Sequence, residues 1–142
     1  MVISRKVDYG LRAMLYLAGL DEGSICILKD ISKNQNIPQK FLAKILNQLV
    51  KTGLVKSHRG ASGGFCLSKP ATEITFMEII EAIEGPFVFN VCLNKKENCP
   101  KIVKCKNIKD CKISIIFKEA QEKIESVFGG KTLSEVLGNI NN

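Results

Sequence analysis

The chain has 142 residues, with six cysteines, one histidine and no tryptophan, and carries a formal net charge of +7 with a pI near 9.2. That length suits one domain, or a compact domain with a small appendage, whose core suffices without disulfides. The opening MVISRKVDYGLRAMLYLAG is interrupted by Arg5, Lys6, Asp8 and Arg12, and no segment approaches about eighteen apolar residues, so neither a signal peptide nor a membrane span is expected and the cytoplasm is the expected location.

The first element in chain order is an amphipathic helix. Ser4 is placed to cap it, and Val7, Leu11, Met14, Leu15 and Ala18 recur at helical spacing until Gly19. A short second helix fits Lys29 to Lys33, ending in Asn34, Gln35 and Asn36. Pro38 suits the first turn of a third helix, with Phe41, Leu42, Ile45, Leu46 and Leu49 on its apolar face and Gly53 beyond its end. Two short β-like runs, Leu54 to Ser57 and Gly64 to Leu67, flank a basic, glycine-rich tip, which reads as a hairpin.

After Pro70, the residues Phe76, Met77, Ile79, Ile80 and Ile83 form the apolar face of a fourth helix that stops before Gly85. Phe87 to Asp110 has no sustained period, and a loop of about twenty-four residues is too long to be idle in a compact domain. From Cys111 a long helix is expected, with Ile113, Ile116, Phe117, Ala120, Ile124, Val127 and Phe128 on one wide face that a second copy of the chain could cover. Thr132 to Glu135 is a capping box that opens a last short helix through Leu137.

Charge follows this organisation. Lys29 to Lys69 holds seven lysines and Arg59 against one acid, Asp30, while Cys92 to Lys112 holds seven lysines against Glu97 and Asp110. Such a stripe is the footprint of a polyanion, although a solvated lysine-rich surface would give the same count. Helix, short helix, turn, basic-faced helix and basic hairpin is the order of a winged helix-turn-helix, whose third helix enters the major groove. Gln39, Asn47 and Gln48 can pair with adenine edges, Lys40 and Lys44 with guanine or phosphate, and Arg59 suits a narrow minor groove. Lys6 and Tyr9 on the first helix and Ser57, His58, Gly60 and Ser62 of the hairpin complete the candidate DNA face. Gly60, Gly63 and Gly64 lack the lysine–serine or lysine–threonine pair of a nucleotide-binding loop. His58 is the sole histidine, with no nucleophile and acid grouped around it in sequence, so it is read as facing DNA or solvent and an enzyme is not expected.

Four cysteines, Cys92, Cys99, Cys105 and Cys111, are separated by six, five and five residues. In a chain without an export signal, thiols at this density hold a metal or sense oxidation more readily than they staple a fold. No pair has the close spacing of a zinc site, whereas iron–sulfur centres tolerate wider loops. The surrounding lysines favour thiolates, which serves either role. Cys26 and Cys66, each alone among apolar neighbours, read as small buried hydrophobes.

Ser4 to Ala13, Ile37-Pro38-Gln39-Lys40-Phe41-Leu42, the wing Arg59 to Phe65 and the series Cys99, Cys105, Cys111 together resemble the IscR and NsrR type of winged-helix iron–sulfur transcription regulators. The resemblance runs through Thr132-Leu133. It implies a dimeric regulator, usually a repressor, acting on an imperfect palindrome in double-stranded DNA, with a 2Fe–2S or 4Fe–4S cluster at Cys99, Cys105 and Cys111. The histidine that IscR-like members carry three residues past the third cysteine is here Ser114. NsrR-like members carry an aspartate on the first helix, here Asp8, which reaches the cluster of the other subunit. The resemblance favours Asp8; chemistry alone favours Cys92.

The expected fold is therefore mainly α: a winged helix-turn-helix over residues 1–86, a cysteine-rich cluster-binding loop over 87–111, and a dimerisation helix with a short C-terminal helix over 112–142. The rivals are a cluster-free thiol–disulfide sensor that keeps the DNA-binding half, and a metal or cluster carrier whose basic surface meets an acidic protein.

Overall fold

Local capping sets where the helices begin. In this computed structural model, which describes residues 3–93 and 111–140, the Ser4 hydroxyl accepts the Val7 N–H and starts α1 (Arg5–Ala18). Its buried face is Val7, Gly10, Ala13, Met14 and Leu17, while Leu11, Leu15 and Ala18 flank it half-buried. Gly10 has a steric reason: the Ile83 side chain fills the space where a β-carbon would stand.

α2 (Leu28–Gln35) is longer than the polar run suggested. Asn34 is still helical, its amide donating to Asp30 O at 2.8 Å, and the turn falls instead on Asn36, left-handed at φ 53°, which asparagine tolerates well. α3 (Gln39–Lys51) buries Leu42, Ile45, Leu46 and Leu49. Phe41 was expected with them and is instead 60% exposed. The other four already form a complete i, i+3, i+4, i+7 stripe, which leaves Phe41 on its edge, facing the start of α1.

β1 (Val55–His58) and β2 (Gly64–Leu67) pair antiparallel, with Val55 opposite Leu67 and Lys56 opposite Cys66. Cys26 adds a bridge to the outer edge of β2, its N–H donating to Phe65 O at 2.9 Å and its carbonyl accepting the Phe65 N–H at 2.8 Å. α4 (Phe76–Glu84) opens on a capping box between Thr75 and Glu78. α5 (Lys112–Gly129) has no fully buried residue. α6 (Leu133–Ile140), capped by Thr132 and Glu135, runs one turn past Leu137. It returns to the first half of the chain: Leu133 N–H donates to Ile74 O, Phe76 N–H donates to Lys131 O, and Leu133 is fully buried in the core. Among the described residues no helix is long and apolar enough to cross a membrane.

Candidate nucleic-acid interface and cysteine centre

The packing of α3 leaves one polar face outward. Gln39, Lys40, Lys44 and Asn47 are exposed on it, as are Ser57, His58, Arg59, Gly60 and Ser62 on the wing. Among the described residues the cations of α3 and the wing have no acid within salt-bridge distance; the ion pairs lie at Arg12–Asp8, Lys69–Glu78, Lys118–Glu122 and Lys123–Glu119. An unneutralised row of cations on a helix and an adjoining hairpin presents a positive field suited to phosphates. The wing tip is fixed by a turn in which Gly63 N–H donates to Gly60 O at 3.0 Å, with Gly60 at φ 102°, a conformation that glycine adopts without cost. Between α1 and α3 lies a cavity of about 370 Å³ lined by Arg5, Lys6, Tyr9, Phe41, Lys44 and Ile45, so half-buried Tyr9 and exposed Phe41 sit beside the basic face.

Two of the candidate DNA residues are engaged inside the fold. Gln48 Nε2 donates to Ala82 O at 2.8 Å and Ile83 O at 2.9 Å, and Lys6 Nζ donates to Ile83 O at 3.2 Å. These are the last carbonyls of α4, which lack onward helical partners. Gln48 and Lys6 therefore brace α4 against α3 and α1. His58 is exposed on the wing, and its Nε2 also lies 3.3 Å from Cys66 Sγ. Alternation along a hairpin with the tip between 58 and 64 could have indicated that pairing.

Cys99 and Cys105 lie outside the described residues. Cys111 is the N-cap residue of α5, and its half-buried thiol is held below the usual thiol range by the backbone N–H groups of Ser114 and Ile113, against a small opposing effect of burial. Its carbonyl also accepts the Ser114 hydroxyl at 2.9 Å. Cys92 lies half-buried in a 3-10 turn, Val91–Leu93, that packs on α5. The approach to that turn is docked as well: Phe89 N–H donates to Gln121 Oε1 at 3.0 Å, and the Phe89 and Phe117 ring centroids are 5.6 Å apart. Both described ends of the cysteine-rich segment thus attach to one helix. Asp8 is half-exposed on α1 and pairs with Arg12 at 3.1 Å, a surface interaction worth less than about 1 kcal/mol. Among the described residues no three His, Cys, Asp or Glu side chains gather as a metal site. The donors on view still suit iron–sulfur chemistry: a thiol at a helix N-terminus, a second thiol at the other end of the loop, and a carboxylate that a weak ion pair would release.

A family model described as Rrf2, iron-dependent transcriptional regulator, matches residues 3–139. Over 137 residues the chain is 31% identical to an Aquifex aeolicus protein named as an HTH-type transcriptional regulator, covering 96% of this chain and 92% of that one. Among solved structures, CymR, the global cysteine regulator of B. subtilis, superposes with a TM-score of 0.76 at 28% identity over 98% of each chain. IscR of T. potens gives 0.75 at 28% identity over 99% of this chain and 88% of that one. With a match of this extent the chain belongs to the Rrf2 family and is a winged-helix, DNA-binding transcription regulator.

Proposed function

We propose that this regulator acts as a homodimeric repressor on an imperfect palindromic operator, and that its affinity is set by an iron–sulfur cluster, 2Fe–2S or 4Fe–4S, held by Cys99, Cys105 and Cys111. Asp8 of the partner subunit or Cys92 completes the ligand set. The observation that carries this reading is the double use of α5. The helix begins at Cys111 and takes the Phe89–Cys92 segment on one side, while Ile113, Ile116 and Val127 remain 66%, 63% and 60% exposed. An apolar stripe of this kind on a DNA-binding chain calls for a second copy. The helix that sets dimer geometry is thereby the helix that anchors the cysteines.

On the DNA side, Gln39, Lys40, Lys44 and Asn47 face the major groove and Arg59 the minor groove, while Tyr9, Lys6, Ser57, His58, Gly60 and Ser62 line the backbone. When bound, the cluster supplies a centre sensitive to oxidants and to its own supply. Holding it fixes the loop relative to Cys111, and α5 then keeps the two recognition helices at the spacing of successive half-sites; releasing it frees α5 to shift that spacing. A tenfold change in affinity needs only about 1.4 kcal/mol of difference between the two states.

The test is anaerobic purification with visible and Mössbauer spectra of the wild type and of Asp8→Ala, Cys92→Ala and Cys99→Ala, each followed by duplex binding. A coloured wild type, a colourless Cys99→Ala and a tenfold difference in duplex affinity between them support the proposal. Of the other two variants, the colourless one identifies the fourth ligand. A colourless wild type with two fast-reacting thiol pairs would falsify the cluster and favour the thiol–disulfide sensor, a reading for which an oxidised form of S. aureus CymR among the structural neighbours, at 27% identity, speaks. Duplex binding that survives alanine at Gln39, Lys44 and Arg59 together would favour a carrier instead.

A further inference from the structure

Two cysteines lie outside the cluster loop, and the fold treats them differently. Cys26 is 8% exposed and belongs to the hydrophobic core, where burial pushes its thiol above the usual range. Cys66 is 6% exposed but stands outside that core. Strand alternation explains the contrast. Val55, Phe65 and Leu67 turn toward the domain, where Phe65 and Leu67 pack on the core. Lys56, His58 and Cys66 share the opposite, outer face of the hairpin, with Lys56 directly across from Cys66 and the exposed His58 imidazole 3.3 Å from its sulfur. A side chain lying against this thiol is thus an exposed residue of the wing. A thiol with an imidazole in hydrogen-bond reach is the arrangement that activates a cysteine nucleophile, and Lys56 adds a cation on the same face.

We propose that Cys66 is a second thiol site, which exchanges with low-molecular-weight disulfides and carries the resulting adduct on the DNA-binding wing. His58 accepts the thiol proton as Cys66 Sγ attacks one sulfur of the incoming disulfide. The original S–S bond breaks, a new one joins Cys66 to that sulfur, and the other half leaves as a thiolate that takes up the proton, so Cys66 is oxidised and one small thiol is released reduced. A glutathione adduct places two carboxylates and one ammonium, a net negative charge, on the hairpin whose tip carries Arg59, and opposes phosphate binding by charge and bulk. The effect on DNA rests on the interface proposed above; the chemistry at Cys66 stands apart from it.

The experiment treats full-length, anaerobically purified protein with oxidised glutathione and maps the adducts by peptide mass spectrometry, for wild type, Cys66→Ser, His58→Gln and His58→Phe. The Cys66 adduct forms at least tenfold faster than that of Cys26 in the same sample, and about tenfold more slowly in both His58 variants, which keep a cover while removing the base. Treated wild type loses at least tenfold in duplex affinity relative to its untreated form, whereas Cys66→Ser, which retains every other cysteine, loses less. Labelling of Cys66 no faster than Cys26, or unaltered in both His58 variants, overturns the site. Equal losses for wild type and Cys66→Ser overturn its link to DNA. Failure of the untreated protein to bind any duplex overturns the interface reading, while selective labelling at Cys66 would still support the thiol chemistry.

Discussion

Gln48 separates bracing from base reading, because the two roles predict opposite outcomes for one substitution. Its Nε2 serves both Ala82 O and Ile83 O, and α4 ends immediately afterwards, where Gly85 N–H returns to Glu81 O rather than to either of them. Gln48→Ala removes both donors; Ile83 O retains Lys6 Nζ, and Ala82 O retains nothing from α3. At about 1 kcal/mol net for each hydrogen bond, less a few tenths of a kcal/mol for the better helix propensity of alanine, the expected loss is about 1.5 kcal/mol. With a urea m-value of about 2 kcal/mol/M, the midpoint falls by about 0.8 M at unchanged slope. The assay is urea unfolding of cluster-free protein at one fixed concentration, since any dimer makes the midpoint concentration-dependent. Asn47→Ala is the control: exposed and one residue away, it shifts stability by less than about 0.5 kcal/mol but weakens discrimination between operator and random duplex. An unchanged midpoint for Gln48→Ala, with discrimination lost, would refute the bracing role and restore the base-reading one.

Three further outcomes are expected. Gly64→Ala places a β-carbon 2.7 Å from Cys26 C and nearer still to its carbonyl oxygen, so it breaks the two-bond bridge holding the wing and costs about 2 kcal/mol or more; a variant as stable as wild type in the same urea assay would count against the wing geometry. Burial raises the Glu78 carboxyl, but hydrogen bonds from Lys69 and the Thr75 cap outweigh it and leave it below the ordinary 4.5, so its stabilisation is full above that pH and lost as pH falls through the depressed value; Glu78→Gln should flatten the acid limb of stability, and an identical limb in urea midpoints taken between pH 6 and 3 would contradict this. Ile113→Asp with Ile116→Asp should give monomers by sedimentation and reduce operator affinity at least tenfold, because a palindrome then loses one half-site contact; a dimer that persists would show that α5 is covered some other way.

What could be read from the chain beforehand divides along sequence separation. Ser4, Thr132 with Glu135, and the glycine-rich tip are local devices whose partners lie within a few residues, and each stands where the pattern placed it. The Thr75–Glu78 box is equally local and equally legible as a Thr-x-x-Glu motif. The roles of Gln48, Lys6 and Gly10 are of another kind: each is defined by Ile83, between 35 and 77 residues away, and a polar residue facing outward on a helical wheel looks the same whether water, a base or a distant helix end accepts its hydrogen bond. Phe41 shows the converse, since periodicity measures which residues could be buried while the neighbouring helix determines which are. The two interpretations of the basic face therefore meet at Lys6. It is exposed, and its ammonium donates one bond to the end of α4, which leaves its other N–H donors able to reach a phosphate without giving up the brace.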